Sequence, residues 1–121
     1  MMLAAAGGKF SFLSPGADPY VIIKCEGNKI RSPVQKNTQA PAFDVKGLFY
    51  RKKAGQPIIV QVWNHNIISD EFLGQVALTG DPDDHLSQQT LQLQDKGNKK
   101  SNGISGSIAV RLLSSSKLTN V

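Results

Sequence analysis

Apolar and polar positions alternate in short runs along this chain, and no stretch of ten or more residues repeats with the period of a helix. Residues 20–25 are rich in Tyr, Val and Ile and are bounded by Asp18-Pro19 and by Gly27-Asn28. Residues 29–35 place Lys29, Arg31 and Pro33 on one parity and Ile30, Ser32 and Val34 on the other. With Gly27-Asn28 between them, the two runs predict a hairpin. Pro33 has no amide to donate, which assigns the second arm to a sheet edge or a bulge. A third strand is expected over residues 43–51, weakened by Gly47. Residues 58–63 alternate cleanly, Ile58, Val60 and Val62 against Ile59, Gln61 and Trp63. Further strands are expected over 73–79, 90–94 and 106–113, the last with Ile108, Val110 and Leu112 on one face. Residues 84–89 are the one segment whose spacing allows a single helical turn. Strands this short, separated by turn residues every 8–12 positions or so, predict an antiparallel all-β sandwich or barrel.

The length of 121 residues suits one domain. Hydrophobic residues make up 40% and charged residues 19%, so the chain has the apolar content to bury a core and lacks the charge density of a disordered one. No apolar run approaches the roughly 20 residues of a membrane-spanning helix. Residues 1–8 have neither the basic start nor the apolar length of a signal peptide. The single cysteine rules out an intramolecular disulfide and a cysteine-cluster zinc site, and a cytoplasmic protein is expected. The net charge of +5 is uneven: residues 24–53 carry eight basic and two acidic side chains, a local +6, against −1 elsewhere. Such an excess favours a polyanionic partner, with a merely solvated surface as the alternative.

Catalytic and metal chemistry finds little support. Cys25 lies mid-strand with no helix start beside it, and neither His65 nor His85 is placed to serve it as a base, so a small core residue is expected. The two histidines and one cysteine have no zinc-ligand spacing, and no phosphate-binding glycine loop is present. Asp81, Asp83 and Asp84 lack the glycine and terminal glutamate of an EF loop and are expected in a solvated turn. Phe43, Phe49 and Tyr50 are expected in the core, so no nucleic-acid surface is expected.

Four segments carry a resemblance. Asp18-Pro19-Tyr20-Val21 opens a strand. Residues 38–44 (Thr-Gln-Ala-Pro-Ala-Phe-Asp) form a proline turn. Trp63-Asn64-His65-Asn66 closes a strand, and Asp70-Glu71-Phe72-Leu73-Gly74 opens the next. In this order they resemble the C2 domain, a phospholipid-docking β-sandwich, over residues 16–113. The wording is similar to the C-terminal C2 domain of the non-classical calpains, a family of papain-like cysteine proteases. The resemblance implies an eight-stranded sandwich, with residues 1–15 a divergent N-terminal segment and 114–121 a tail. Residues 1–12 are poor strand formers, so the first strand is expected to be partial, helped by residues 9–13, or lost, leaving seven strands and an unpaired edge.

The resemblance also implies site residues. In calcium-binding C2 domains five aspartates supply the ligands. The matching positions here are Phe12, Asp18, Asn64, Asn66 and Glu71, which leaves two carboxylates for an ion that wants six to eight oxygens. A degenerate calcium site and no cofactor are expected. Lys24 and Arg31 match a phosphoinositide-binding strand pair of some relatives, with Lys29 and Lys36 close by. Ile67 and Ile68 stand at a loop tip that faces membranes in relatives, with Phe10, Phe12 and Leu13 before the first loop; folding back onto the core is the alternative for these side chains. The expectation is a non-catalytic docking module of a calpain-type protease. It would bind anionic phospholipid or a protein partner largely without calcium, in the cytoplasm and at the membrane periphery. The alternative is a structural domain that packs on the protease core and binds no lipid.

Overall fold

The computed structural model describes residues 2–6, 18–36, 45–49, 57–78, 86–95 and 106–114. Eight strands lie within them: β1 (Met2–Ala6), β2 (Pro19–Cys25), β3 (Asn28–Arg31), β4 (Val45–Phe49), β5 (Ile58–Asn64), β6 (Glu71–Leu78), β7 (Leu86–Gln92) and β8 (Ser107–Ser114). They form two four-stranded sheets, ordered β4-β1-β8-β7 and β3-β2-β5-β6, and every pairing is antiparallel. No helix occurs among the described residues.

The alternation read from the sequence decides which face of each strand is buried. Val21, Ile23 and Cys25 of β2 point inward with Ile58, Val60 and Val62 of β5, and Ile108 and Val110 of β8 meet them from the other sheet. Each is at most 3% exposed. Burying a side chain of this size contributes about 1.5–3 kcal/mol, and the two inner faces supply enough of them to hold the sheets together. Cys25 is one of these core residues, but it is the last residue of β2 rather than mid-strand.

Several boundaries differ from expectation. The first strand forms at Met2–Ala6 and is central, paired with β4 on one side and β8 on the other. Two ladders of hydrogen bonds outweigh the weak strand preference of alanine, which depends strongly on context. Residues 9–13 lie outside the described residues. The β2–β3 turn consists of Glu26 and Gly27, one position earlier than expected, with φ of 47° and 83°. Both values are positive, as a two-residue turn needs to follow the twist of its strands. The helical turn allowed for residues 84–89 is replaced, from Leu86 onward, by β7, which pairs with β8 over seven positions; the ladder overrides the local spacing. After β7 the chain crosses layers: Leu93 enters the core and Gln94 bonds to Gln75 at the edge of β6. The proline turn at 38–44, the aspartates at 81–84 and the tail from residue 115 lie outside the described residues.

Two irregularities shape the end of the second sheet. Ser32 donates its amide to Val21 and accepts the Val21 amide on its side-chain oxygen, each at 2.9 Å, and the next bond runs from Gln35 to Pro19. Two steps along β2 thus face three on the other segment, and Pro33 sits in the surplus, at an edge as its missing donor requires. On β6, Val62 faces Gly74 but Trp63 faces Phe72, which leaves Leu73 as the extra residue of a bulge. Gly74 has φ of 146°, a conformation open to a residue without Cβ. The bulge brings Phe72 edge-on to Trp63, with centroids 5.3 Å apart.

Candidate functional site

The candidate residues lie on the outer face and one end of the β3-β2-β5-β6 sheet. Residues opposite the core on β2 are Tyr20, Ile22 and Lys24; their neighbours are Arg31 and Lys29 on β3 and Trp63, Gln61 and Ile59 on β5. Lys24 and Lys29 are direct cross-strand partners, and Arg31 stands two residues further along, opposite Ile22. Like charges facing one another cost stability, so folding alone does not favour this pair. Lys29, Arg31 and Lys36 are exposed and Lys24 is half-buried. Lys36 stands apart. It follows Gln35, which bonds to Pro19 at the far end of β2, roughly 15 Å from the Lys24–Lys29 pair at the strand rise of about 3.3 Å per residue.

The middle of this face is polar and internally satisfied. Trp63 donates its ring N–H to Gln61 Oε1 at 3.2 Å, and Gln61 Nε2 donates to Gln75 Oε1 at 3.0 Å. Gln61 and Gln75 are each 6% exposed, and among the described residues no buried side-chain polar atom lacks a partner.

The loop between β5 and β6 closes the end of the sheet. Asn64 Oδ1 accepts the Asp18 amide at 2.8 Å, and Asp18 O accepts the His65 amide at 2.9 Å. Asn64 Nδ2 reaches Asn66 Oδ1 at 3.5 Å, and Glu71 is the cross-strand partner of Asn64. The four positions transferred from calcium sites are therefore neighbours. The Asn64 oxygen accepts the Asp18 amide, and Asp18 and Glu71 are the two carboxylates among them. Among the described residues no group of three or more His, Cys, Asp and Glu side chains is arranged to hold a metal ion. Phe12, the fifth position, lies outside the described residues.

Asp70, outside the transferred positions, bonds three groups at this end of the sheet. Asp70 Oδ1 accepts the Asn66 amide at 3.1 Å and lies 3.2 Å from His65 Nδ1; Oδ2 accepts the Tyr20 hydroxyl. The Tyr20 bond, then the Asn66 amide, and the charges of His65 and Arg31 hold the Asp70 carboxyl below its ordinary value. Burial first, and then the bond to Asp70 and its charge, push the Tyr20 phenol up. Arg31 stacks over the Tyr20 ring, 4.0 Å from its centroid. The available signal was Tyr20 itself, since a phenol on a mostly buried tyrosine needs a partner. Spacing alone could not say whether Asp70 or Glu71 would supply it.

Ile67 and Ile68 are 102% and 98% exposed, so neither folds back onto the core. Cys25 lies at the opposite end of β2 from Asp18, whose carbonyl holds the His65 amide, so Cys25 and His65 form no catalytic pair. His85, Phe10, Leu13, Phe43 and Tyr50 lie outside the described residues.

Comparison with known proteins places this geometry. The C2 domain family matches residues 5–102. This chain belongs to the C2 domain family. Its fold agrees with that of a C2 domain from plant Extended Synaptotagmin 1, with a TM-score of 0.77 and 20% identity over 98% of this chain and 95% of that one. A second C2 domain structure gives a TM-score of 0.76 at 14% identity, covering 93% of this chain and 96% of that one. In sequence, this C2 domain is 54% identical to mouse (Mus musculus) Calpain-5 and 53% identical to rat (Rattus norvegicus) Calpain-5, each over 120 residues and 99% of the chain. It spans 18% of the length of those relatives.

Proposed function

We propose that this C2 domain is the docking module of a calpain-type cysteine protease and seats its parent on anionic phospholipid largely without calcium. The observation that carries the reading is the joint placement of a cationic cluster and an apolar tip on one sheet. Lys24, Lys29 and Arg31 share the outer face, and the loop at the end of that sheet holds up two fully exposed isoleucines. Basic side chains beside an anionic leaflet gain about 1 kcal/mol each, and an isoleucine moved from water into an apolar phase gains about 1.5–3 kcal/mol. The calpain assignment draws on the 54% identity to Calpain-5; peptide-bond chemistry would reside outside this domain. Calcium independence draws on the occupied Asn64 oxygen and the two remaining carboxylates. The domain would then act in the cytoplasm, at the membrane periphery.

The same exposed isoleucines favour a second reading, in which they pack against the protease core and the domain binds no lipid. Sedimentation with liposomes of phosphatidylcholine alone, or with added phosphoinositide, each with calcium or chelator, separates the two. Binding that needs the anionic lipid and ignores calcium supports docking. No binding to any liposome supports the structural module.

A further inference from the structure

We propose that Asp70 is a positioning residue for the apolar loop: its carboxylate, without a metal ion, braces the loop and ties it through Tyr20 to Arg31 on the basic face. What the loop touches rests on the docking reading above; how the loop is held does not.

Residues 65–69 are exposed, and the isoleucines at 67 and 68 bury nothing. A segment without apolar burial is drawn from the least stable part of a fold unless polar bonds hold it. Here the bonds converge on one carboxylate. One oxygen takes the Asn66 amide and the His65 ring, both on the outgoing limb, and the other takes the hydroxyl of Tyr20 on β2. Asp70 itself stands at the foot of the returning limb. A single side chain therefore joins both limbs to the neighbouring strand, through bonds strengthened by its charge.

The connection continues past Tyr20. The ring whose hydroxyl is held by Asp70 is the ring on which Arg31 stacks. Arg31, Tyr20, Asp70 and Asn66 form one line from the basic face to the loop. The two parts of the surface that would meet a membrane are thereby held in a fixed relation before any lipid arrives, which lowers the ordering cost of binding.

Amide hydrogen exchange on the free 121-residue chain tests this without lipid. Tyr20→Phe keeps the ring beneath Arg31 and removes only the hydroxyl. Asn66 bonds to Asp70 and not to that hydroxyl, so an effect on its amide must pass through the carboxylate. The expected result is exchange at Asn66 several-fold faster in Tyr20→Phe, and about tenfold or more faster in Asp70→Asn, where one side-chain acceptor replaces two. Amides of Val60 and Ile108 in the core should keep their protection in both. An Asn66 amide unchanged in Tyr20→Phe overturns the proposal, and so does one unchanged in a folded Asp70→Asn. Failure of the unmodified chain to bind phosphoinositide vesicles would remove the docking reading while leaving the exchange result in place.

Discussion

At the scale of single residues, exposure decides what Ile67 and Ile68 contribute. Both are open to solvent, so their replacement creates no cavity. Surface substitutions of this kind change stability by about 0.5 kcal/mol or less. The double change Ile67→Ser with Ile68→Ser should leave the melting temperature nearly unaltered and weaken partition onto anionic liposomes tenfold or more, the equivalent of about 1.4 kcal/mol and well within what two inserted isoleucines supply. Asp70 gives a second prediction at this scale. It meets Tyr20 from β2 and His65 from its own loop, with Arg31 beyond the tyrosine and Glu71 next in the chain. Its carboxyl is held below the ordinary value by the Tyr20 bond first. A group depressed in the folded state contributes stability above its unfolded value of about 3.9 and loses it as pH falls through the folded value. The Tyr20 phenol is raised, so its contribution is present below about 10 and lost as pH rises through its folded value. Protection of the Asn66 amide, corrected for intrinsic exchange, should therefore fall at the acid end below about pH 4 and again at the alkaline end above about pH 10, with no loss owed to this pair between. Protection that stays constant at both ends would remove Asp70 and Tyr20 from control of the loop.

At the scale of elements, the β2–β3 hairpin carries the charge. Replacing Lys24, Lys29 and Arg31 together by Gln should abolish low-salt binding to anionic liposomes. In the unmodified chain the attraction should fade as the Debye length shrinks from about 10 Å at 0.1 M salt to about 3 Å at 1 M. The fold should survive. The substitution removes the Lys24–Lys29 repulsion and forfeits a cation–π contact worth about 0.5–1 kcal/mol at an exposed site. Circular dichroism and sedimentation on the same sample check both halves; unchanged binding would move the role elsewhere. The hairpin also illustrates what could be read in advance. Parity along residues 29–34 set Lys29 and Arg31 against Ile30 and Ser32, and the first pair is exposed while the second turns toward the interior, because side-chain direction in a strand has a period of two and burial enforces it. Turn position slipped by one, since Gly27 suits either place in the turn and the ladder partners choose. β1 was harder: an alanine-rich run gains its strand from neighbours far along the chain, and nothing local records them. Four of the transferred loop positions lie close together, yet the bonds to Asp70 were not foreseen, because a hydrogen bond between residues fifty apart leaves no periodic trace.

At the scale of the whole molecule, calcium affinity and thermal stability are linked. A ligand that binds only the folded state adds RT ln(1 + [L]/Kd), about 2.7 kcal/mol at a concentration one hundred times the dissociation constant. For a domain near this size, each kcal/mol raises the melting temperature by about 4 °C, so a site with a dissociation constant of about 10 μM would show a rise of about 10 °C in millimolar calcium. Far less is expected at the end of the β3-β2-β5-β6 sheet. Asn64 gives its oxygen to the Asp18 amide, Asp70 gives both of its oxygens to Tyr20, Asn66 and His65, and only Asp18 and Glu71 bring carboxylates at the transferred positions. Calcium at about 1 mM should therefore raise the melting temperature of the chain by less than about 2 °C relative to chelator. The same titration on Asp18→Asn should give no difference from the unmodified chain. A rise of several degrees that disappears in Asp18→Asn would mean that the loop rearranges to build a calcium site, and calcium-independent docking would have to be abandoned.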